Sequence, residues 1–293
     1  MTIAVDIGGT WTRIARIETD LLPSPEATTR ISTPLDLGDL PDLLVEHIAT
    51  LGVANAIGIG CAGLIDPSDG RIRWMPHADG RDIPLQAILS ERFGVPVVVD
   101  NDANLAVLAE SRLGAGVGFR MVLMVTLGTG IGAGLAIEQE IEPGRGGLGE
   151  VGHMRLAADP DCACGSSGCW ETLVSGRVLD AEAEAIIGAD ASGVDLVEVA
   201  MAGNSSAADA LDRAGEWLGV GLGNLIAVLD PDVIVIGGGA AAAGDALLRP
   251  ASRYLGSRGG GLAVSGMPPI LPAAFGPMAG LVGAALAARE VTR

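Results

Sequence analysis

Short apolar runs alternate along the chain with glycine-rich turns and with stretches whose apolar residues recur every three or four positions. Short runs bounded by turn residues predict β-strands, and the longer spacing predicts helices. The predicted strands are 3–5, 12–17, 56–61, 96–99, 121–127, 133–137 and 233–236. The predicted helices are 40–51, 81–93, 103–113, 179–187, 207–229 and 276–289. Strands that alternate with helices predict an α/β fold.

The succession strand, Gly/Thr-rich turn, strand occurs twice. The first copy turns at 6–10 and the second at 128–132, and Gly8 and Gly128 are 120 positions apart. Such a duplication predicts two related α/β halves that face each other.

Charge and composition narrow the function classes. The 293 residues carry 18 basic and 36 acidic side chains, which gives a formal net charge of −18, and 3 % of them are aromatic. Nucleic-acid binding relies on Lys and Arg against phosphates and on stacking aromatic rings, so both numbers disfavour it. No leader pattern opens the chain, and its uncharged run 121–137 is interrupted by glycines. We expect a cytoplasmic protein that binds neither nucleic acid nor membrane.

Glycine makes up 44 residues and forms three turns at predicted strand ends, 8–10, 128–132 and 237–239. Glycines allow main-chain N–H groups to converge on phosphate oxygens, and threonine hydroxyls add donors. One such turn is weak evidence, whereas three at strand ends favour a phosphate site. None matches the P-loop or the Rossmann pattern.

Three consecutive polar residues, Asp100, Asn101 and Asp102, lie between a predicted strand and a predicted helix. Asp and Asn commonly cap helix N-termini, which is the structural interpretation. Capping needs one of these side chains, so others are left for ligands at the carboxyl end of the strand. A carboxylate at a helix N-terminus keeps a low pKa, which suits the late proton acceptor of phosphoryl transfer.

His153, Cys162, Cys164 and Cys169 follow the spacing H-x8-C-x-C-x4-C. Three thiols and one imidazole form a closed tetrahedral set for a structural Zn²⁺. The alternatives are a reduced buried cluster or a disulfide, although a Cys-x-Cys disulfide is strained. Cys61 lies on a distant apolar strand and is expected in the core.

Two glutamates flank this cluster. Glu150 precedes His153 by three residues, and Glu171 follows Cys169 by two. Either glutamate could be a solvated surface group, but a metal that fixes both flanks would present them to the hydroxyls of a polyol. If one ring nitrogen of His153 binds zinc, the other carries a proton and can donate.

Together these motifs resemble the ROK family (repressors, open reading frames and sugar kinases) of the actin/hexokinase-like ATPase superfamily, in family order across nearly the whole chain. The matching segments are 6–10, 61–66, 101–104 with Ala106 and Glu110, 128–132, 149–153, 162–171 and 237–239.

The resemblance implies two actin/hexokinase-like (ribonuclease H-like) α/β domains around a cleft. The expected domains are 1–118, completed by the closing helix 277–293, and 119–276, which holds the zinc motif. It further implies ATP and Mg²⁺ as donor, a hexose as acceptor, structural Zn²⁺, and a homodimer or homotetramer.

The resemblance also implies roles for individual residues. Asp102 matches the catalytic base that takes the proton of the sugar 6-hydroxyl. The positions that match sugar-binding residues are Gly63, Asn101, Asp102, Glu150, His153 and Glu171. The positions that match the phosphate and adenosine motifs are Asp6, Gly8, Gly9, Thr10, Thr12, Thr129, Gly130, Gly132, Gly237 and Gly238.

Within the family, the segments Gly-Cys-Trp-Glu and Glu-Val-Gly-His are similar to bacterial glucokinases, which makes glucose the expected acceptor. The alternatives are a kinase for N-acetylglucosamine, N-acetylmannosamine or mannose, and a sugar-responsive transcriptional regulator. The regulator is disfavoured because the phosphate hairpin begins at Ile3, where such proteins carry a helix-turn-helix domain. No basic track supports polyphosphate as donor.

Three segments depart from the family pattern. Trp11 stands where many relatives have lysine, so phosphate contact there would rely on backbone and hydroxyl groups. The stretch 74–82 differs from the usual sugar-contacting loop, which bears on the identity of the sugar. The segment 275–280 lacks an acid that often precedes its Ala-Gly pair.

Overall fold

The computed structural model describes residues 1–18, 28–76, 78–258 and 266–292. The strands are β1 (Thr2–Ile7), β2 (Trp11–Ile17), β3 (Thr28–Ser32), β4 (Ala56–Cys61), β5 (Leu64–Asp66), β6 (Arg71–Trp74), β7 (Val97–Asn101), β8 (Met121–Leu127), β9 (Ile131–Ile137), β10 (Glu140–Ile141), β11 (Val233–Gly237) and β12 (Ile270–Pro272). The helices are α1 (Leu40–Ala49), α2 (Leu85–Phe93), α3 (Asp102–Leu113), α4 (Gly176–Ile186), α5 (Gly193–Met201), α6 (Ser205–Leu229), α7 (Asp245–Ser257) and α8 (Ala279–Glu290).

Two five-stranded sheets share one strand order. The first is β3-β2-β1-β4-β7 and the second is β10-β9-β8-β11-β12. In each, an antiparallel meander is continued on one side by two parallel strands. The predicted α/β class is therefore confirmed, and the shared order accounts for the duplicated hairpin seen in the sequence.

Two compact units make up the chain. The first consists of 1–120, 134–148 and 277–293, and the second of 121–133 and 149–276. The domain limits at 118 and 276 remain a prediction, and segment 134–148 packs with the first unit. Gly134 explains this attachment locally, since a Cβ there would lie 2.4 Å from the carbonyl oxygen of Ala103.

Both faces of the first sheet are covered. On β1, Ile3, Val5 and Ile7 join the core formed with α1 and α2. Ala4, on the opposite face, joins the core formed with α3 and α8. A Cβ on Gly58 of β4 would lie 1.8 Å from the carbonyl oxygen of Ala284 in α8, so a glycine is required for this close packing.

The predicted helix 81–93 was wrong at its start, because α2 begins at Leu85. Ile83 instead pairs with Ile72 through backbone hydrogen bonds of 2.9 and 3.0 Å, and Pro84 holds the N-cap position. The sequence prediction also omitted β3, β5, β6, β10, β12, α5 and α7. Within the described ranges, no helix has both the length and the apolar character needed to cross a membrane.

Candidate functional site

In the first unit, three predicted sugar-site residues meet at the end of β7. Asn101 is the N-cap of α3, and its side-chain oxygen accepts hydrogen bonds from the N–H groups of Ala103 (2.9 Å) and Asn104 (3.2 Å). Its amide nitrogen donates to the carbonyl oxygen of Gly63 at 3.1 Å. Asp102 follows as the first residue of α3, and its Oδ1 also accepts from the N–H of Ala103 at 2.9 Å.

Asp100, the residue before Asn101, hydrogen-bonds to the turn between β7 and α3. Its Oδ1 accepts from the N–H of Asn101 at 2.6 Å and from the side-chain amide of Asn104 at 2.9 Å. Burial raises the pKa of Asp100, and the two hydrogen bonds oppose that shift without cancelling it. Asp100 therefore orders the turn between β7 and α3.

Gly63, which is hydrogen-bonded to Asn101, also packs against the start of loop 74–82, the loop that departs from the family pattern. Its φ of +119° favours glycine, and a Cβ there would lie 2.3 Å from the carbonyl oxygen of Trp74 and 2.9 Å from the Cα of Met75. Met75 is fully buried. The segment that departs from the family pattern thus packs against a predicted sugar-binding position; His77 lies outside the described residues.

The first glycine turn joins β1 to β2. Gly9 and Thr10 are exposed, whereas Thr12 is fully buried and its hydroxyl shares a 2.9 Å hydrogen bond with the hydroxyl of Thr33. Asp6, at the base of the turn, is paired with the guanidinium of Arg13. Burial raises the pKa of Asp6, and the charge and hydrogen bond of Arg13 act in the opposite direction.

In the second unit, the other two glycine turns lie side by side. β8 and β11 are parallel neighbours with Thr126 opposite Gly237, so both strands end at the same edge. Gly238 has φ +86°, and a Cβ there would lie 2.4 Å from the carbonyl oxygen of Leu127. The predicted nucleotide turns 128–132 and 237–239 are therefore brought together.

A pocket of about 490 Å³ opens beside the turn 128–132. Thr129, Glu171, Ser175 and Arg177 contribute polar groups, and Val178 and Ala181 contribute apolar surface. Ser175 and Arg177 are not among the site residues predicted from the sequence. Ser175 caps α4 by accepting from the N–H of Val178 at 3.4 Å, and a serine before a helical run is a signal that could have indicated its position.

The four predicted zinc ligands come together in the second unit. The Cys162 Sγ lies 3.7 Å from His153 Nδ1, and Cys164 Sγ lies 3.7 Å from Cys169 Sγ. All four ligand atoms are within 4.8 Å of one another, and the cysteines form no disulfide. Zn–S bonds of about 2.3 Å place tetrahedral ligands about 3.8 Å apart, so this set fits Zn²⁺.

The cluster joins the two predicted glutamates to His153. His153 Nδ1 lies 3.6 Å from Glu171 Oε1, and its Nε2 lies 3.7 Å from Glu150 Oε2. Burial raises the pKa of Glu150, with a smaller lowering by His153. A Cβ on Gly130 would lie 2.4 Å from Glu171 Oε2, so this glycine lets the carboxylate approach the phosphate turn. Glu150, His153 and Glu171 thus form one polar group within the second unit.

Comparison with known proteins agrees with these features. A model of the ROK family matches residues 2–291. A glucokinase of Streptomyces coelicolor is 34 % identical, with 99 % of this chain and 98 % of the relative covered. An N-acetyl-D-glucosamine kinase of Vibrio vulnificus is 31 % identical, with 97 % and 98 % covered.

A solved structure gives the same result for the fold. The ROK family glucokinase of Streptomyces griseus, in complex with glucose and AMPPNP, superposes with a TM-score of 0.87 at 34 % identity and 99 % coverage of both chains. Since the family match spans nearly the whole chain, and the duplicated hairpin, the glycine turns and the His/Cys cluster follow the predicted pattern, the chain belongs to the ROK family.

Proposed function

We propose that this sugar kinase is a glucokinase that transfers the γ-phosphoryl group of ATP to the 6-hydroxyl of glucose. Relatives named as glucokinases and the S. griseus complex with glucose and AMPPNP support the donor and the acceptor class. The observation that carries the mechanism is local: Asn101 caps α3 with its side-chain oxygen, so capping does not depend on the carboxylate of Asp102.

Asp102 acts as the general base in this proposal. Its carboxylate stands at the first position of α3, where the helix dipole stabilises the anion. The transition state of phosphoryl transfer is loose, so the base needs alignment more than high basicity. Asp102 accepts the proton of the 6-hydroxyl as that oxygen bonds to the γ-phosphorus, and ADP leaves with the electrons of the broken P–O bond.

The remaining sugar contacts are assigned to the predicted positions within each unit. We assign the sugar hydroxyls to Asn101 and the backbone at Gly63 in the first unit, and to Glu150, His153 and Glu171 in the second. The amide nitrogen of Asn101 has two hydrogens, and one of them is used on Gly63. The glutamates supply acceptors, and the Nε2 of His153 supplies a donor when Nδ1 binds a metal.

The donor contacts follow from the glycine turns. We assign ATP phosphates to the backbone and hydroxyl groups at Gly8, Gly9 and Thr10, with Thr12 fixing the turn from inside. The corresponding groups of the second unit are Thr129, Gly130, Gly132, Gly237 and Gly238. Mg²⁺ carried with ATP would neutralise phosphate charge, and Asp6 is the carboxylate at the first turn that could share it.

Zinc has a structural role in this proposal. His153, Cys162, Cys164 and Cys169 would hold the ion, and four protein ligands leave no position for a substrate. The cross-link would fix the segments that carry Glu150 and Glu171. Burial raises the pKa of the metal-free Cys162 thiol to about 12, so loading the site displaces protons.

A second acceptor is an N-acetylhexosamine. It is favoured by the N-acetyl-D-glucosamine kinase relative and by the packing of the altered loop 74–82 against Gly63. Assembly as a homodimer or homotetramer in the cytoplasm completes the proposal.

Two experiments test this function. A coupled assay with ATP over glucose, mannose, N-acetylglucosamine and N-acetylmannosamine should give the highest kcat/KM for glucose, whereas activity confined to the N-acetylated sugars would refute that choice. Asp102→Asn should lower kcat by about 10²- to 10⁴-fold while glucose binding, measured by calorimetry, is retained. Asp245→Asn is the matched control, since Asp245 is likewise the first residue of a helix and its side chain is exposed.

A further inference from the structure

An arginine is stacked on an aromatic ring directly beside the first glycine turn. The guanidinium carbon of Arg30, on β3, lies 4.0 Å from the centre of the Trp11 ring, on β2. Both side chains are exposed, Trp11 by 44 %. Neither β3 nor a role for Arg30 was predicted from the sequence.

The strand register explains how the pair forms. Trp11 is opposite Ser32 and Arg13 is opposite Arg30, so Trp11, Arg13 and Arg30 project from one face of the sheet. Two arginines directly opposite each other repel. Arg13 is neutralised by Asp6, whereas Arg30 meets no carboxylate among the residues that the structure describes. This face therefore holds one stacked cation in a chain of net charge −18.

The turn itself is fixed relative to this pair. The N–H of Gly8 donates to the carbonyl oxygen of Trp11 at 3.0 Å, and the N–H of Thr33 donates to that of Thr10 at 3.0 Å. The Thr33 hydroxyl donates to the carbonyl oxygen of Gly8 at 2.8 Å. The end of β3 is thus bonded to both sides of the turn, which makes the positions of Arg30 and the turn amides interdependent.

We propose that Arg30, positioned by the ring of Trp11, binds the phosphate chain of the nucleotide donor. A guanidinium stacked by its face keeps its N–H edges available, and these match phosphate oxygens in a bidentate arrangement. The inference rests on the proposed kinase function and adds a side-chain cation to a turn for which the sequence predicted only backbone and hydroxyl contacts.

The test compares Arg30→Gln with Arg249→Gln. Arg249 is an exposed arginine of α7 paired with Asp245, so its replacement removes the same charge far along the chain from the turn. Arg30→Gln should raise the KM for ATP and the Kd for AMPPNP about tenfold, the effect of one lost charged contact, with the KM for glucose unchanged. Arg249→Gln should leave all three values within about twofold.

Two further variants separate binding from stability. Arg30→Lys should restore part of the ATP affinity, and Trp11→Leu should weaken it by a smaller factor than Arg30→Gln, since the cation remains but is less ordered. If Arg30→Gln lowers the melting temperature yet leaves the AMPPNP Kd unchanged, the pair only joins two strands and the inference is wrong.

The readouts also separate this inference from the proposed function. A wild-type protein that phosphorylates no sugar but binds AMPPNP about tenfold more tightly than Arg30→Gln would refute the glucokinase and support the inference. An active glucokinase whose ATP KM is the same in both proteins would refute the inference alone.

Discussion

Trp170 connects the His/Cys cluster to the core of the second unit, and Gly221→Ala tests that connection. Trp170 follows Cys169 and precedes Glu171 in the sequence, and its side chain is fully buried. Its Nε1 donates to the carbonyl oxygen of Trp217 in α6 at 2.9 Å. A Cβ on Gly221, one turn further along α6, would lie 2.0 Å from Cε2 of this indole. The ring must therefore shift to admit a methyl group.

The sign of the change in unfolding free energy shows whether a clash in the core or the higher helix propensity of alanine dominates. In an unobstructed helix, Gly→Ala stabilises by about 0.5–1 kcal/mol. Overpacking a core costs about 1–3 kcal/mol. At Gly221 the clash is with a fully buried ring, so we expect a net loss of about 1–2 kcal/mol in the free energy of unfolding. Outside the backbone of its own helix, no described residue comes within 4 Å of a Cβ added to Gly256 in α7, so Gly256→Ala should stabilise by about 0.5–1 kcal/mol.

Urea unfolding followed by circular dichroism measures both variants, and competition with a chromophoric chelator measures zinc retention. The shift of Trp170 should also displace Cys169, so Gly221→Ala should lose zinc to the chelator faster than Gly256→Ala. Equal stabilisation by the two substitutions would show that the indole is not confined as described, and the proposed link between α6 and the metal site would be wrong.

Two other predictions concern the pKa of Asp100 and the metal ligands. Burial raises the pKa of Asp100, so the native state binds its proton more tightly than the unfolded chain, and the associated stability is lost as pH rises through the raised value. The unfolding free energy of wild type minus that of Asp100→Asn should therefore fall as the pH rises above about 4, the ordinary pKa of Asp, in urea titrations, and a rise would contradict it. Cys164→Ser should weaken zinc binding more than about tenfold in chelator competition, whereas Cys61→Ala, outside the cluster, should not; equal retention would remove Cys164 from the ligand set.

Local patterns predicted the frame of the fold and the candidate site. The hairpin of β1 and β2 and the Cys/His spacing are short-range features, and each was visible because the residues that define it are close in the sequence. The division of roles between Asn101 and Asp102 was not decidable from sequence, since either residue type caps helices. Geometry assigns the cap to Asn101.

Long-range contacts account for what the sequence did not reveal. Ile83 lies outside α2, contrary to the prediction, because its backbone hydrogen-bonds to that of Ile72. Nothing in the local sequence pattern indicates that partner. Arg30 lies on a short strand whose polar composition gives little periodicity, and its stacking on Trp11 depends on the register of two strands. A sequence pattern indicates one helix or strand at a time, whereas the contacts of Ile83 and Arg30 depend on how two elements pair.

The packing of α8 on β4 has a consequence for synthesis on the ribosome. Gly58 and Ala284 are in direct backbone contact, although 226 positions separate them, so the first sheet lacks one of its covering helices until the last segment has been translated. Both segments of the second unit, 121–133 and 149–276, have emerged by then. At roughly 5–20 residues per second, the nascent N-terminal strands wait on the order of ten seconds or more for α8. The unit whose strands are made first is therefore completed last, and the apolar face that α8 covers stays without that helix during the interval.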